Sequence, residues 1–234
     1  MQTTLSHTIA TMVRRLTNSV IAVILLFVSS CGTECMKFHS PILPYYVYPT
    51  NDTIHIGDTI WLEARIPVNL KDFETGEIAN YRGVDFNSYF DIQILTDTTR
   101  YISDQPNPSY ATSKFTLIKS IGDCIFDDEV CRINYLDRND SFLFKVGFIT
   151  KNEGFYRLNL VYNPGGTAHG SQVIKMNDSK CTHKLATLCQ SINNGSSTLY
   201  RAKEKGFKVW KSPDPTKLEN WVYDNRMYYF SVIQ

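Results

Sequence analysis

The stretch "SFLFKVGFITKNEGFYRLNLVY", residues 141–162, decides the fold. Phe142, Phe144, Val146 and Phe148 fall at every second position, the period of a strand with one buried face. Lys151, Asn152, Glu153 and Gly154 then interrupt the apolar pattern, and "FYRLNLVY" resumes it. Two strands joined by a short polar corner are the unit of an antiparallel sheet.

The same texture extends on both sides. In "YYVYPTNDTIHIGDTIWLEARI", Ile54 and Ile56 alternate with polar residues, Gly57-Asp58 marks a turn, and Ile60, Leu62, Ala64 and Ile66 alternate again. Further strands are expected at 89–95, 114–121 and 130–136, with a long polar loop over 67–85. An aromatic content of 13% suits such strands.

Asn152-Glu153-Gly154-Phe155-Tyr156-Arg157-Leu158 resembles the approach to strand F of immunoglobulin-like sandwiches. The resemblance implies a tyrosine corner at Tyr156 and puts Leu158 where antibody domains carry a cysteine. "GDTIWLEA" is similar to strand B, with Leu62 in the other cysteine position. Neither core cysteine is present and no tryptophan falls on the expected strand C. The likeness covers roughly residues 52–163 and implies a fold, not a function.

Beyond Pro164-Gly165-Gly166 the pattern changes. Cys181, Leu185, Leu188, Cys189 and Ile192 fall on one helical face, with Gly195 at the C′ position, so a helix is expected over 179–194. A second short helix is expected from Ser197 to before Gly206. A third is expected after Asp214-Pro215, burying Leu218, Trp221 and Val222. "MYYFSVIQ" reads as a strand returning to the sandwich. The expected architecture is mainly β, an immunoglobulin-like antiparallel sandwich over 45–234 with a helical elaboration at about 179–223.

The N-terminal thirty residues carry Arg14 and Arg15, then an apolar core from Val20 to Val28. A membrane-spanning helix needs roughly twenty apolar residues, so residues 1–30 read as a signal peptide. Val28-Ser29-Ser30-Cys31 resembles the lipobox of bacterial lipoproteins. That resemblance implies cleavage before Cys31, a diacylglycerol thioether on its sulfur, palmitate-type acyl chains, and a membrane anchor in the cell envelope. Gly32 after the cysteine resembles proteins sorted to the outer membrane. The alternative is ordinary secretion with Cys31 in a disulfide. Residues 31–44 read as a tether.

Six cysteines in an exported chain point to disulfides. An intact helix would hold the Cα atoms of Cys181 and Cys189 about 12 Å apart, beyond the roughly 4.4–6.8 Å a disulfide spans. The expected bridges are therefore Cys124–Cys131 and one from Cys35 to either Cys181 or Cys189. A helix beginning after Cys181 would instead allow Cys181–Cys189 and leave Cys35 unbridged.

Removing the signal leaves 22 basic and 23 acidic residues, a balance that gives no reason to expect a nucleic-acid partner. His-Glu-x-x-His, Gly-x-Ser-x-Gly, Walker and Cys-x-x-Cys motifs are absent from the sequence. His39, His55, His169 and His183 are scattered, so a metal site would have to be assembled by folding. The loop "NPGGTAHGSQ" precedes a strand-like segment rather than a helix, which does not suit a phosphate cradle. Asp127, Asp128 and Glu129 lack the spacing of a calcium loop and read as a hairpin tip. The aromatics of "PYYVYP" (44–49), with Trp210, Trp221, Tyr223, Tyr228 and Tyr229, are candidates to stack on sugar or pack a partner. No catalytic residue, cofactor or metal is expected. The expectation is a non-enzymatic binding or structural protein with a glycan or protein partner. A glycan hydrolase built from dispersed carboxylates is the alternative, which two carboxyl groups about 5–9.5 Å apart would favour.

Overall fold

The computed structural model describes residues 35–73, 75–86, 88–101, 112–127, 130–162, 172–174, 176, 181–185, 188–192, 195–208 and 227–234. Residues 1–30, expected as a signal peptide, Cys31, residues 163–171 and the third expected helix lie outside them. The chain divides into two compact units, Met1–Met36 and Lys37–Gln234, and the second holds the folded domain.

Its strands are, in chain order, β1 (Met36–His39), β2 (Ile42–Tyr48), β3 (Thr53–His55), β4 (Thr59–Pro67), β5 (Asn69–Lys71) and β6 (Ile78–Asn80). Next come β7 (Ser88–Ile94), β8 (Phe115–Ile121), β9 (Asp123–Asp127), β10 (Val130–Asn134), β11 (Leu136–Arg138) and β12 (Ser141–Thr150). The last are β13 (Gly154–Tyr162), β14 (Gln172–Ile174), β15 (Thr182–Leu185), β16 (Leu188–Ser191), helix α1 (Gly195–Glu204) and β17 (Met227–Ile233).

Two large sheets form the sandwich. One runs β3-β17-β13-β7-β10-β9; the other runs β11-β12-β4-β2-β16, with β8 also on β12. The pairing β2–β4–β12 facing β7–β13–β17 is that of strands A-B-E against C-F-G in immunoglobulin-like domains. The segment between β7 and β12 departs from that plan. It adds β8 to one sheet, then β9 and β10 to the other. Residues 67–85, expected as loop, carry the β5–β6 ribbon.

Alternation decides which side chains enter the core. Ile60, Leu62, Ala64 and Ile66 of β4 and Phe142, Phe144, Val146 and Phe148 of β12 are all buried. In register, Phe144 faces Ala64, a large side chain opposite a small one, and Val146 faces Leu62. Each such side chain contributes about 1.5–3 kcal/mol on burial. β13 supplies Tyr156, Leu158 and Leu160 from the opposite sheet.

β17 is buried on both faces. Tyr228, Phe230 and Val232 join the main core, while Met227 and Tyr229 lie in a second cluster with Leu95, Ala202 and Phe207. Ala202 belongs to α1, so the helix covers the outer face of that sheet, and Arg201 pairs with Asp52. A strand covered twice has no polar side, which is why "MYYF" lacks alternation.

Several expectations are corrected. Residues 182–185 and 188–191 are strands, not a helix: β15 joins β1 and β14, and β16 runs parallel to β2. In β15, His183 and Leu185 are buried while Thr182 is exposed, a period of two. Segments of four residues are too short for periodicity to separate helix from strand, and the open edge of β2 decided the outcome. Gly195 opens α1 rather than closing a helix; α1 itself falls where the second short helix was expected.

Residues 36–39 and 42–44, expected as part of a tether, are strand. Pro44 is tolerated there for a geometric reason. Pro41 and Tyr45 direct their carbonyls at β16, accepting from Leu188 N–H at 2.9 Å and Ile192 N–H at 2.8 Å. Pro44, of opposite parity, turns its missing donor toward β4, whose ladder starts only at Tyr46.

Candidate functional site

The alternation of "PYYVYP" splits its aromatics. Tyr45 and Val47 enter the core, so Tyr46 and Tyr48 stand on the outer face of the β2–β4–β12 sheet. Their rings stack with centroids 6.3 Å apart and planes within 11°. Tyr48 lies opposite Trp61 of β4 in register, and Tyr48 is 40% exposed. Trp61 in turn lies opposite Gly147 of β12. A Cβ on Gly147 would come within 3.0 Å of the Trp61 ring, so the absent side chain is what lets the indole lie across the sheet. Tyr46, Tyr48 and Trp61 thereby form one aromatic shelf.

The next row adds charge. Tyr46 is opposite Glu63, and Glu63 is opposite Lys145. Lys145 Nζ lies 2.9 Å from the Glu63 carboxylate and 5.3 Å from the Trp61 ring centroid. Both ends of the ion pair are about one-third exposed, so it fixes geometry more than it adds stability. Stacking surface beside fixed donors and acceptors is what a sugar ring demands. Its C–H face meets a π-face and its rim of hydroxyls needs hydrogen bonds.

Past Glu63 the same face dips into a groove of about 370 Å³, whose wall includes Arg65, Ile121, Arg138, Ser141 and Leu143. A separate cavity of about 430 Å³ is lined by Phe90, Ile92, Phe115, Leu117, Phe126 and Phe148, with Asp91 at its wall. Asp91 is buried and accepts a hydrogen bond from Asn159 at 3.0 Å.

Folding brings together two histidines that look unrelated in the sequence. His39 Nε2 and His183 Nδ1 are 2.8 Å apart, and Tyr81 meets His39 edge-on. Burial, then His183, lowers the His39 pKa below its usual value. Asp72, buried nearby, accepts from the Ser40 N–H at 2.5 Å and the Thr75 N–H at 2.8 Å. Among the described residues no three side chains of metal-ligating type converge. His55 is exposed beside Asp58, and His169 lies outside the described residues.

Tyr156 is fully buried, and its hydroxyl donates to the carbonyls of Asn152 at 3.0 Å and Glu153 at 3.3 Å. That is tyrosine-corner geometry. Cys35 and Cys181 are disulfide-bonded. The premise for that expectation, an intact helix through Cys181 and Cys189, was wrong: Cys181 immediately precedes β15 and Cys189 lies in β16, strands of different sheets. Cys189 is a buried thiol.

The expected Cys124–Cys131 bridge is a correction: both are reduced and buried. Cys124 faces Ile133 and Cys131 faces Phe126, so the two are diagonal rather than opposed across the β9–β10 ladder. The thiols interact by hydrogen bonding, which lowers the pKa of Cys124 and raises that of Cys131. Asp128 and Glu129, expected at a hairpin tip, and Trp210, Trp221 and Tyr223 lie outside the described residues. Tyr228 and Tyr229 are core. Sequence reasoning missed Trp61 as a site residue; its place opposite Gly147 on the outward parity of β4 was the available signal.

No family model and no curated protein sequence matches the chain. Among solved structures, the chain is similar to the human F-spondin reeler domain, at 10% identity and a TM-score of 0.30, over 67% of this chain and 88% of that one. It is also similar to the type II cohesin dyad from the adaptor ScaA scaffoldin of Acetivibrio cellulolyticus, at 9% identity and a TM-score of 0.27, over 54% of this chain and 40% of that one.

Proposed function

We propose that this chain is a lipid-anchored protein of a bacterial envelope that binds saccharide on its outer sheet face and performs no reaction. The observation that carries the reading is the shelf of Tyr46, Tyr48 and Trp61, levelled by Gly147 and edged by the Glu63–Lys145 ion pair. Tyr46, Tyr48 and the half-buried indole are held side by side on one face of a rigid sheet, where little ordering entropy is lost on binding. The anchor is supported by Val28-Ser29-Ser30-Cys31, whose pattern resembles a lipobox and follows the apolar core directly. Several acyl chains are needed for stable attachment, since one alone binds membranes weakly.

Two measurements test the reading. A soluble form beginning at Cys35 is run through gels containing a panel of neutral and acidic polysaccharides. Retardation by at least one polysaccharide, abolished in Trp61→Ala with an unchanged melting curve, is the expected result. No retardation anywhere in the panel, or retardation that survives Trp61→Ala, refutes the binding face. For the anchor, Cys31→Ala in the full chain is expected to abolish detergent-phase partitioning; a variant that still partitions with the wild type refutes lipidation at Cys31.

A further inference from the structure

The groove beside the shelf carries charge that nothing in the described fold neutralises. Arg65 lies opposite Leu143 and Arg138 opposite Ser141, so the two arginines flank β12 from β4 and β11. Both are exposed, and both line the 370 Å³ groove that begins at Glu63. The nearby carboxylates are otherwise occupied: Glu63 by Lys145, and Asp140 by Arg82. Asp137 is opposite Phe142, on the opposite parity of β11 from Arg138. Neither Arg65 nor Arg138 forms an ion pair with a described residue. Two strand spacings and one two-residue step separate their Cα atoms, about 12 Å. Long side chains from that separation can reach the two sides of one sugar substituent.

We infer that the saccharide on this face is acidic, its carboxylate held in the groove by Arg65 and Arg138 while the adjoining ring stacks on Trp61 and Tyr46. The inference rests on the binding face proposed above and names the class of its ligand. A guanidinium offers two parallel N–H donors to a carboxylate, and such charge-assisted bonds are stronger than those to neutral hydroxyls. A neutral glycan would leave both guanidinium groups to water and use only the shelf.

The test compares three acidic polysaccharides, polygalacturonate, alginate and hyaluronan, with the same chains after reduction of their carboxyl groups to alcohols. Wild-type protein is expected to bind at least one acidic chain about tenfold or more tightly than its reduced form. Arg65→Gln and Arg138→Gln should each remove most of that preference without moving the melting curve. Lys203→Gln on α1 removes an equal charge elsewhere and should leave the preference intact. If reduced and acidic chains bind equally, the acidic assignment is overturned while the shelf stands. Equal losses in Lys203→Gln also overturn it, since the attraction is then diffuse. Binding to none of the acidic chains overturns it too, and if neutral polysaccharides also fail, the shelf reading falls with it.

Discussion

His39 and His183, separated by 144 positions in the chain, share one hydrogen bond between parallel rings with centroids 5.1 Å apart. One imidazole donates and the other accepts, so the arrangement requires an unprotonated nitrogen at the contact. Burial and the neighbouring ring, helped by Lys37, lower the His39 pKa from 6.5 against the opposing pull of Asp72 and Glu77. As pH falls below 6.5, the unfolded chain binds this proton before the folded one does, and stability drops until the folded pKa is passed. Urea unfolding between pH 7.5 and 5 should therefore show a falling midpoint. His39→Gln should flatten that fall; an unchanged pH slope in the variant would remove His39 from the account.

Tyr156→Phe keeps the ring against Phe115 and Phe230, whose centroids are 5.2 and 5.4 Å away, and deletes only the hydroxyl. The loss should be about 0.5–1.5 kcal/mol, read as a lower urea midpoint at constant slope. A variant as stable as the wild type would show that the bonds to Asn152 and Glu153 are replaced by water at no cost.

Gly147→Ala should act on Trp61 more than on the fold. The added methyl meets the indole and Thr59 Cγ2 at 3.0 Å, and the half-exposed indole can lift outward. The expected result is weaker polysaccharide retardation at nearly constant melting temperature. Full retention of binding would mean that the flat indole is not the stacking surface.

Peptide mapping without reduction should find one bridge among the described cysteines, Cys35 to Cys181. Cys124, Cys131 and Cys189 are buried thiols, so alkylation should reach them only after denaturant is added. A peptide joining Cys124 to Cys131 would contradict the diagonal placement across β9 and β10.

The sandwich was legible where strands are long. Nine or ten residues of alternation in β4 and β12 carry enough repeats to separate a period of two from 3.6. It failed in β15 and β16, where four residues cannot do so and pairing with neighbouring strands overrode the local pattern. The histidine pair could not be read at all, because it depends on β1 and β15 becoming neighbours. The shelf was half legible: the parity of "PYYVYP" separates Tyr46 and Tyr48 from Tyr45, but the indole joins them only through register with β4.

β17 has a consequence for the timing of folding. It is the last strand in chain order, yet it lies between β3 and β13, pairing Ser231 with Thr53 and Tyr228 with Leu158. Until the ribosome has passed residue 233, β3 and β13 present bare backbone edges to each other's missing partner, and the main core lacks Tyr228, Phe230 and Val232. The complete core therefore waits on its last strand. A chain cut before Met227 would keep that gap, so the final strand acts as the closing stave of its sheet.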